Sequence, residues 1–351
     1  MTPVKRVLAV IAAVLMIGGA LLIRSRIDSR EDAAQLEAEK ATVVCATELA
    51  NTCDQIRQAH PELTVTVEEA GTTMAKLSGS GFSRDTTPID AWLVPRPFPA
   101  MVDENRSFGG LDPVLGESTA VLARSPLTLT VWNDRLEALR SACSEVTWVC
   151  IGDHAGQPWL DVGGQESWGN VKPGLPDPST TAFGLLDLSQ ASAQQLGRTD
   201  FASNDLQDPS FQTWLDQLKR GIRSYPPTST GGPLGQMLSQ GKGTFDAAGS
   251  AEAVSGPGVT TSRYKNDLTV LYPSPVVTAD VVLVEVRGSG SGGHVREVFG
   301  SDEAAAALAA NGWRVPGQPP APGVLSDPLP ETDGLPKPGA VKALLDVWTT
   351  T

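Results

Sequence analysis

Apolar residues enter this chain first as one unbroken run. Val7 to Ile23 carries no charge, follows Lys5 and Arg6, and gives way at once to Arg24, Arg26, Asp28 and Arg30. At 1.5 Å per residue such a run makes a helix of about 26 Å, close to the hydrocarbon thickness of a bilayer. The pattern predicts a membrane-spanning signal anchor over residues 1–31. A cleaved secretory signal has the same layout, with Gly18-Gly19-Ala20 as its small-residue candidate. Asp32 to Lys40 then reads as a short polar helical linker.

Beyond the linker the pattern alternates between two periods. Thr42–Ala46, Leu63–Glu68 and Ile89–Val94 read as strands, and helical stretches open at Leu49 and at Gly71, where Thr72 or Thr73 stands as the cap. Strand, helix, strand, helix, strand at this spacing is a βαβ pattern and predicts a parallel sheet covered on both faces. Ser118–Val131 is a long β-prone run broken by Pro126. Asn133–Ala142 reads as a helix and Trp148–Ile151 as a strand. Helices are expected over Thr180–Leu196, Pro209–Ile222 and Leu234–Gln240, then strands over Leu268–Tyr272 and Val276–Val286, then an Ala-rich helix over Asp302–Asn311. Residues 316–338 hold eight prolines, and Ala340–Thr349 can form a last short helix.

The two long β-prone runs flank the middle of the chain and invite a two-lobed reading. Lobe 1 would comprise 32–123 and 275–315, lobe 2 would be inserted as 124–274, and the runs themselves would form the hinge. Residues 316–351 would be a Pro-rich tail.

Charge and cysteine content narrow the compartment and the partners. The chain carries −13 overall, and residues 1–30 hold five basic residues and one acid, which leaves −17 on the remainder. An acidic body of this kind argues against nucleic acid as a partner. Three His and four Cys leave little material for a transition-metal site. The cysteines fall as Cys45/Cys53 and Cys143/Cys150, spacings that suit neither a metal nor a CxxC redox motif. Of the three connectivities, the short loops favour 45–53 and 143–150. Bridges persist in oxidising compartments, so the bulk of the chain is expected outside the cell membrane.

Several segments in series resemble the type 2 periplasmic solute-binding proteins, most closely their molybdate- and sulfate-binding cluster. VVCATELANTCDQIRQAHPELTVTVEEAGTT is similar to the opening strand, ligand loop, helix, second strand and second ligand loop. IDAWLVP resembles the third strand, STAVLARSPLTLTV the first hinge strand and LTVLYPSPVVTADVVLVEV the return. PWLDVGG with VKPGLPDPSTTAFGLLDL resembles the start of the second lobe, FDAAGSAEAV its later strand and turn, and REVFGSDEAAAALAANGWRVPG the closing helix. The resemblance covers about residues 42–316. It implies an α/β, two-lobed fold with mixed sheets, a ligand held between the lobes, an ABC-type permease as partner, and no cofactor or enzymatic activity.

By that resemblance the ligand loops are Ala46-Thr47-Glu48, Gly71-Thr72-Thr73 and Ser179-Thr180-Thr181, with Ser250, Glu252 and Tyr272 as lesser candidates. Loops of small polar residues leading into helices offer hydroxyls, free N–H groups and a partial positive charge. Ordinary helix capping explains each loop singly. Glu48 departs from the pattern, because a desolvated carboxylate repels a bound anion. No Lys or Arg lies in the loops themselves; Arg96 and Lys172 are only nearby. The ligand is therefore left open between cationic, zwitterionic, neutral and none. The alternative function is a sensory or interaction module of the same fold, since the Pro-rich tail and ALLDVW resemble connectors to von Willebrand A-type domains.

Other chemistry finds little support. Gly288–Gly293 matches GxGxxG, but position 310 is Ala where a dinucleotide site needs an acid, and no strand follows. GxSxG is absent and the three His lie apart from any nucleophile setting, which argues against a hydrolase triad. Asp177 and Asp187 read as turn and helix surface. Trp92, Trp148 and Trp214 read as core. If the cysteines are bridged, alkylation before reduction should label none of the four. Four labelled thiols would remove the bridges and the compartment argument with them.

Overall fold

The computed structural model describes residues 41–223, 226, 231–325 and 334–350. The Val7–Ile23 run and the 32–40 linker lie outside these residues. Among the described residues no helix is long and apolar enough to cross a membrane.

Lobe 1 grows from β1 (Ala41–Ala46), which pairs in parallel with β2 (Leu63–Glu68) on one side and β3 (Ala91–Pro95) on the other. β1 and β3 are buried almost throughout, as expected of strands covered on both faces. The covering helices are α1 (Ala50–Ala59), α2 (Ala70–Ser78) and α3 (Phe98–Phe108). β4 (Leu115–Ser118) is a separate short strand, and the chain then enters β5 (Ala123–Trp132).

β5 belongs to both lobes. Ala123–Pro126 pair with the return strand β9 (Thr278–Val286), which itself pairs with β3 and β4 in lobe 1. From Leu127 onward β5 pairs instead with β7 (Ala247–Ala251) and β8 (Leu268–Leu271) of lobe 2. Pro126 sits at the handover. A proline has no N–H to give to a ladder, so it is tolerated where pairing changes partner.

Lobe 2 continues through α4 (Asn133–Ala142), α5 (Trp148–His154), the short β6 (Pro173–Gly174), α6 (Ala182–Leu196), α7 (Pro209–Arg223), α8 (Gly232–Gln240) and α9 (Glu252–Thr261). Lobe 1 is completed by α10 (Gly292–Phe299) and α11 (Asp302–Ala310). The final helix α12 (Pro338–Thr350) lies across both lobes. Its Val341 joins the core of lobe 1, while Ala340, Leu344 and Trp348 join that of lobe 2. Lys219 of α7 lies 5.4 Å from the Trp348 ring centroid.

Both expected disulfides are present, Cys45–Cys53 and Cys143–Cys150, with Cα separations of 6.6 and 6.0 Å. Trp92, Trp148 and Trp214 are core residues. Two expectations are corrected. Trp148–Ile151 is the first turn of α5, not a strand: its β-branched and aromatic residues pack inward against α6 and α7, and tertiary contact overrides the local preference. Asp187 is not on a helix surface. It is fully buried, because α6 is enclosed over most of its length, and Gly249 of β7 lies directly on it, where a Cβ would stand 2.6 Å from Oδ2.

Neither Asp187 oxygen has a hydrogen-bond partner among the described residues, and burial pushes the carboxyl well above its usual range. The folded chain therefore holds this proton to higher pH than the unfolded chain does. The stability tied to it is complete below the unfolded value near 3.8 and is lost as pH rises through the raised folded value. Asp187→Asn should be more stable than the parent at pH 8, by on the order of 1 kcal/mol or more, and the gap should close towards pH 4. Denaturant melts at the two pH values measure it; a gap independent of pH would contradict a buried neutral carboxyl.

Candidate functional site

The ends of β1 and β7 and the start of α6 meet between the lobes. After β1 the chain makes a single 3-10 turn, Thr47–Leu49, before α1 begins. The Cys45–Cys53 bridge closes this turn at its base. Glu48 projects from it across the interlobe boundary. Its Oε1 accepts from the backbone N–H of Ala182 at 2.6 Å and of Phe183 at 3.2 Å. These are the first residues of α6, so Glu48 supplies the negative charge that a helix N-terminus favours. Burial pushes the Glu48 carboxyl up, and the N–H donors partly offset that.

The third predicted loop prepares the same helix end. Asp177 Oδ1 accepts from the N–H and the hydroxyl of Ser179 at 2.8 and 2.6 Å. Thr181 is the N-cap of α6, and its Oγ1 accepts from Gly184 N–H at 3.1 Å. The Thr180 carbonyl accepts from Gly71 N–H of lobe 1 at 2.8 Å. This approach leaves no room for a side chain at Gly71, where a Cβ would lie 2.1 Å from Ser179 O. Neither Thr72 nor Thr73 caps α2, which begins at Ala70 with Glu69 as an N-cap lacking a side-chain bond. Thr72 is exposed, and Thr73 is buried with its hydroxyl given to Glu68 at 2.6 Å. Ala46 is buried at the end of β1.

A cavity of about 400 Å³ opens beside Glu48. Lobe 1 contributes Thr47, Glu48, Ala50 and Asn51. Lobe 2 contributes Pro176, Thr181, Phe183, the start of α8 from Gly231 to Leu234, and Gly249, Ser250 and Val254. A smaller hollow of about 260 Å³ shares Glu48, Asn51 and Val254 and extends to Asn311 and Trp313. The residues brought together from the predicted set are thus Thr47, Glu48, Thr181 and Ser250. Asn51, Phe183 and Val254 join them, and no residue spacing in the sequence announced that. Two larger hollows, of about 690 and 600 Å³, lie beside Arg124 and Arg314 and beside Glu104 and Phe201. Neither is lined by any of the ligand loops.

Glu252 and Tyr272 form a separate, internally satisfied cluster. Glu252 is fully buried, and Arg314 grips it through Nε at 2.6 Å and Nη2 at 2.8 Å. The Tyr272 hydroxyl donates to the same carboxylate at 2.5 Å, and Leu325 N–H at 3.1 Å. Burial and the Glu252 charge push the Tyr272 phenol far up. The pair ties the start of α9 in lobe 2 to the segment after α11. Phe183 and Trp313 add a ring contact across the same boundary, with centroids 6.1 Å apart. Lys172 lies away from the cleft beside Asp246, which also takes Arg135 Nε at 3.1 Å. Among the described residues, no group of three or more His, Cys, Asp or Glu converges for a metal ion.

No protein-family model and no curated protein matches the sequence. Solved structures do. The periplasmic binding protein P5PA is 15% identical, with 89% of this chain and 99% of that one covered at a TM-score of 0.55. A periplasmic thiamin-binding protein is 12% identical, with 88% and 95% covered at 0.56. The IdiA/FutA protein of Trichodesmium, solved with iron and citrate, is 12% identical, with 88% and 97% covered at 0.53. The chain therefore has the two-lobed α/β fold of the type 2 periplasmic solute-binding proteins.

If Gly71 and Thr180 meet as described, Gly71→Ala forces the lobes apart. Small-angle scattering should show a larger radius of gyration than the parent's, with circular dichroism unchanged. An identical scattering curve would show that these loops do not touch.

Proposed function

We propose that the chain is an extracytoplasmic solute-binding protein, anchored by the Val7–Ile23 run, that closes its lobes on a small solute and presents it to an ABC-type permease. The observation that carries this reading is the cavity beside Glu48, walled by β1–α1 residues of one lobe and α6, α8 and β7 residues of the other. Ligands of open α/β sheets sit where strands end and helices begin, and this cavity has that position. Its volume suits a small molecule. β5 and the return segment between β8 and β9 form two covalent links between the lobes, about which rigid lobes can rotate. Closure on a solute then adds the solute's contacts to those the lobes already make.

A second reading is an interaction module of the same fold, with a von Willebrand A-type protein as partner. It draws support from the direct ties between lobes: Glu48 on α6, Gly71 on Thr180, Glu252 on Arg314, and α12 across both cores.

Thermal denaturation with choline, putrescine, maltose, sulfate and phosphate separates the two. A ligand at a hundredfold its Kd adds about 2.7 kcal/mol, which for a protein of this size is a rise of several degrees. The solute-binding reading expects such a rise from one class of probe at millimolar concentration. It also expects Val254→Trp, which fills the cavity from an exposed position on α9, to abolish it. Silence across the panel favours the interaction module.

A further inference from the structure

Glu48 is the one charged side chain among the residues lining the cavity. Its two oxygens are unequally served. Oε1 is held by two backbone donors, whereas Oε2 has a single bond, from the Thr47 hydroxyl, stretched to 3.3 Å. No Lys, Arg or His is paired with it among the described residues, although buried carboxylates are ordinarily paired. The N-terminus of α6 offsets about half a charge, so an ionised Glu48 leaves a net negative site that a cation would stabilise against the burial that pushes its carboxyl up. Pro176, Phe183, Pro233, Leu234 and Val254 give the cavity its apolar wall, beside the polar Thr47, Asn51, Thr181 and Ser250, and apolar wall weakens the solvent screening of this charge. Phe183 sets an aromatic ring beside the same cavity, and aromatic rings attract positive groups. An oxyanion meets the opposite situation: the N–H groups of Ala182 and Phe183 that would hold it are already taken by a carboxylate that repels it.

Given the solute-binding reading above, on which this rests, we infer that the cleft takes a small organic cation, an ammonium group on an apolar body, with Glu48 as its counter-charge. The ammonium faces Oε2, and the apolar body lies against Phe183, Leu234 and Val254. The −17 carried by the remainder of the chain draws such solutes towards the protein from solution.

Isothermal titration of the parent, Glu48→Gln and Glu48→Asp with choline, putrescine, maltose and sulfate tests this. The parent should bind choline or putrescine and neither maltose nor sulfate. Glu48→Gln should weaken the cation by about 10- to 100-fold, the scale of a lost charge-assisted contact, while Glu48→Asp keeps the charge and stays within about tenfold of the parent. Binding of maltose or sulfate that Glu48→Gln leaves intact overturns the cation assignment and keeps the solute-binding reading. No binding of any probe overturns both. The parent panel alone separates the classes, so the result does not hang on either variant folding.

Discussion

One long strand, β5, passing from one sheet into the other beside the return strand β9, sets the geometry of everything else in this molecule. β5 and β9 are paired over four residues, Ala123–Pro126 against Thr278–Val281, and then part. On one side of that short ladder the chain builds β2-β1-β3-β9; on the other it builds β8, β7 and β6 around the far half of β5. A one-residue slip in the ladder would turn every side chain of β5 to its opposite face. Both cores are therefore in register with each other, and the strand ends that meet between the lobes are fixed by pairings made some distance away.

Across that boundary the chain uses charge and backbone as well as apolar contact. Glu48 reaches the head of α6, Gly71 gives its N–H to Thr180, and Arg314 clasps Glu252 beneath Tyr272. Hydrophobic continuity exists too: Phe183, Leu185 and Ala251 share one apolar cluster with the strands of lobe 1. Polar ties of this kind are directional, so they specify one closed arrangement, whereas apolar area alone tolerates several.

Much of this architecture was legible in the residues. Alternation in LTVTVE and the apolar runs of ATVVCA and AWLVP gave the first three strands, and the two long β-prone segments gave the crossing pair. Small polar residues at Ser179 and Thr180 marked the start of α6 to within two residues of its cap, Thr181. What stayed hidden was whatever depends on contact between distant segments. Glu48 and Ala182 are 134 positions apart, and no local period connects them. Asp187 sits in an ordinary helical pattern, and only the enclosure of α6 and the bare backbone of Gly249 make it interior. The TWVCI stretch favours a strand by composition, yet packing makes it helical. The helix Phe98–Phe108 leaves little trace in the sequence, because its apolar stripe is short and it opens beside prolines.

The position of the Cys45–Cys53 bridge has a consequence for when the site comes into being. It staples the strand that ends at Ala46 to the second turn of α1, with the Glu48 turn enclosed between. A chain in a reducing environment lacks that staple, and its Glu48 turn is then held by the flanking strand and helix and by the bonds of Glu48 to the head of α6. Oxidation of the pair restricts the turn to few conformations. Under the extracytoplasmic reading proposed above, the charge that faces the cleft thus acquires a fixed address after the chain leaves the reducing compartment in which it is made.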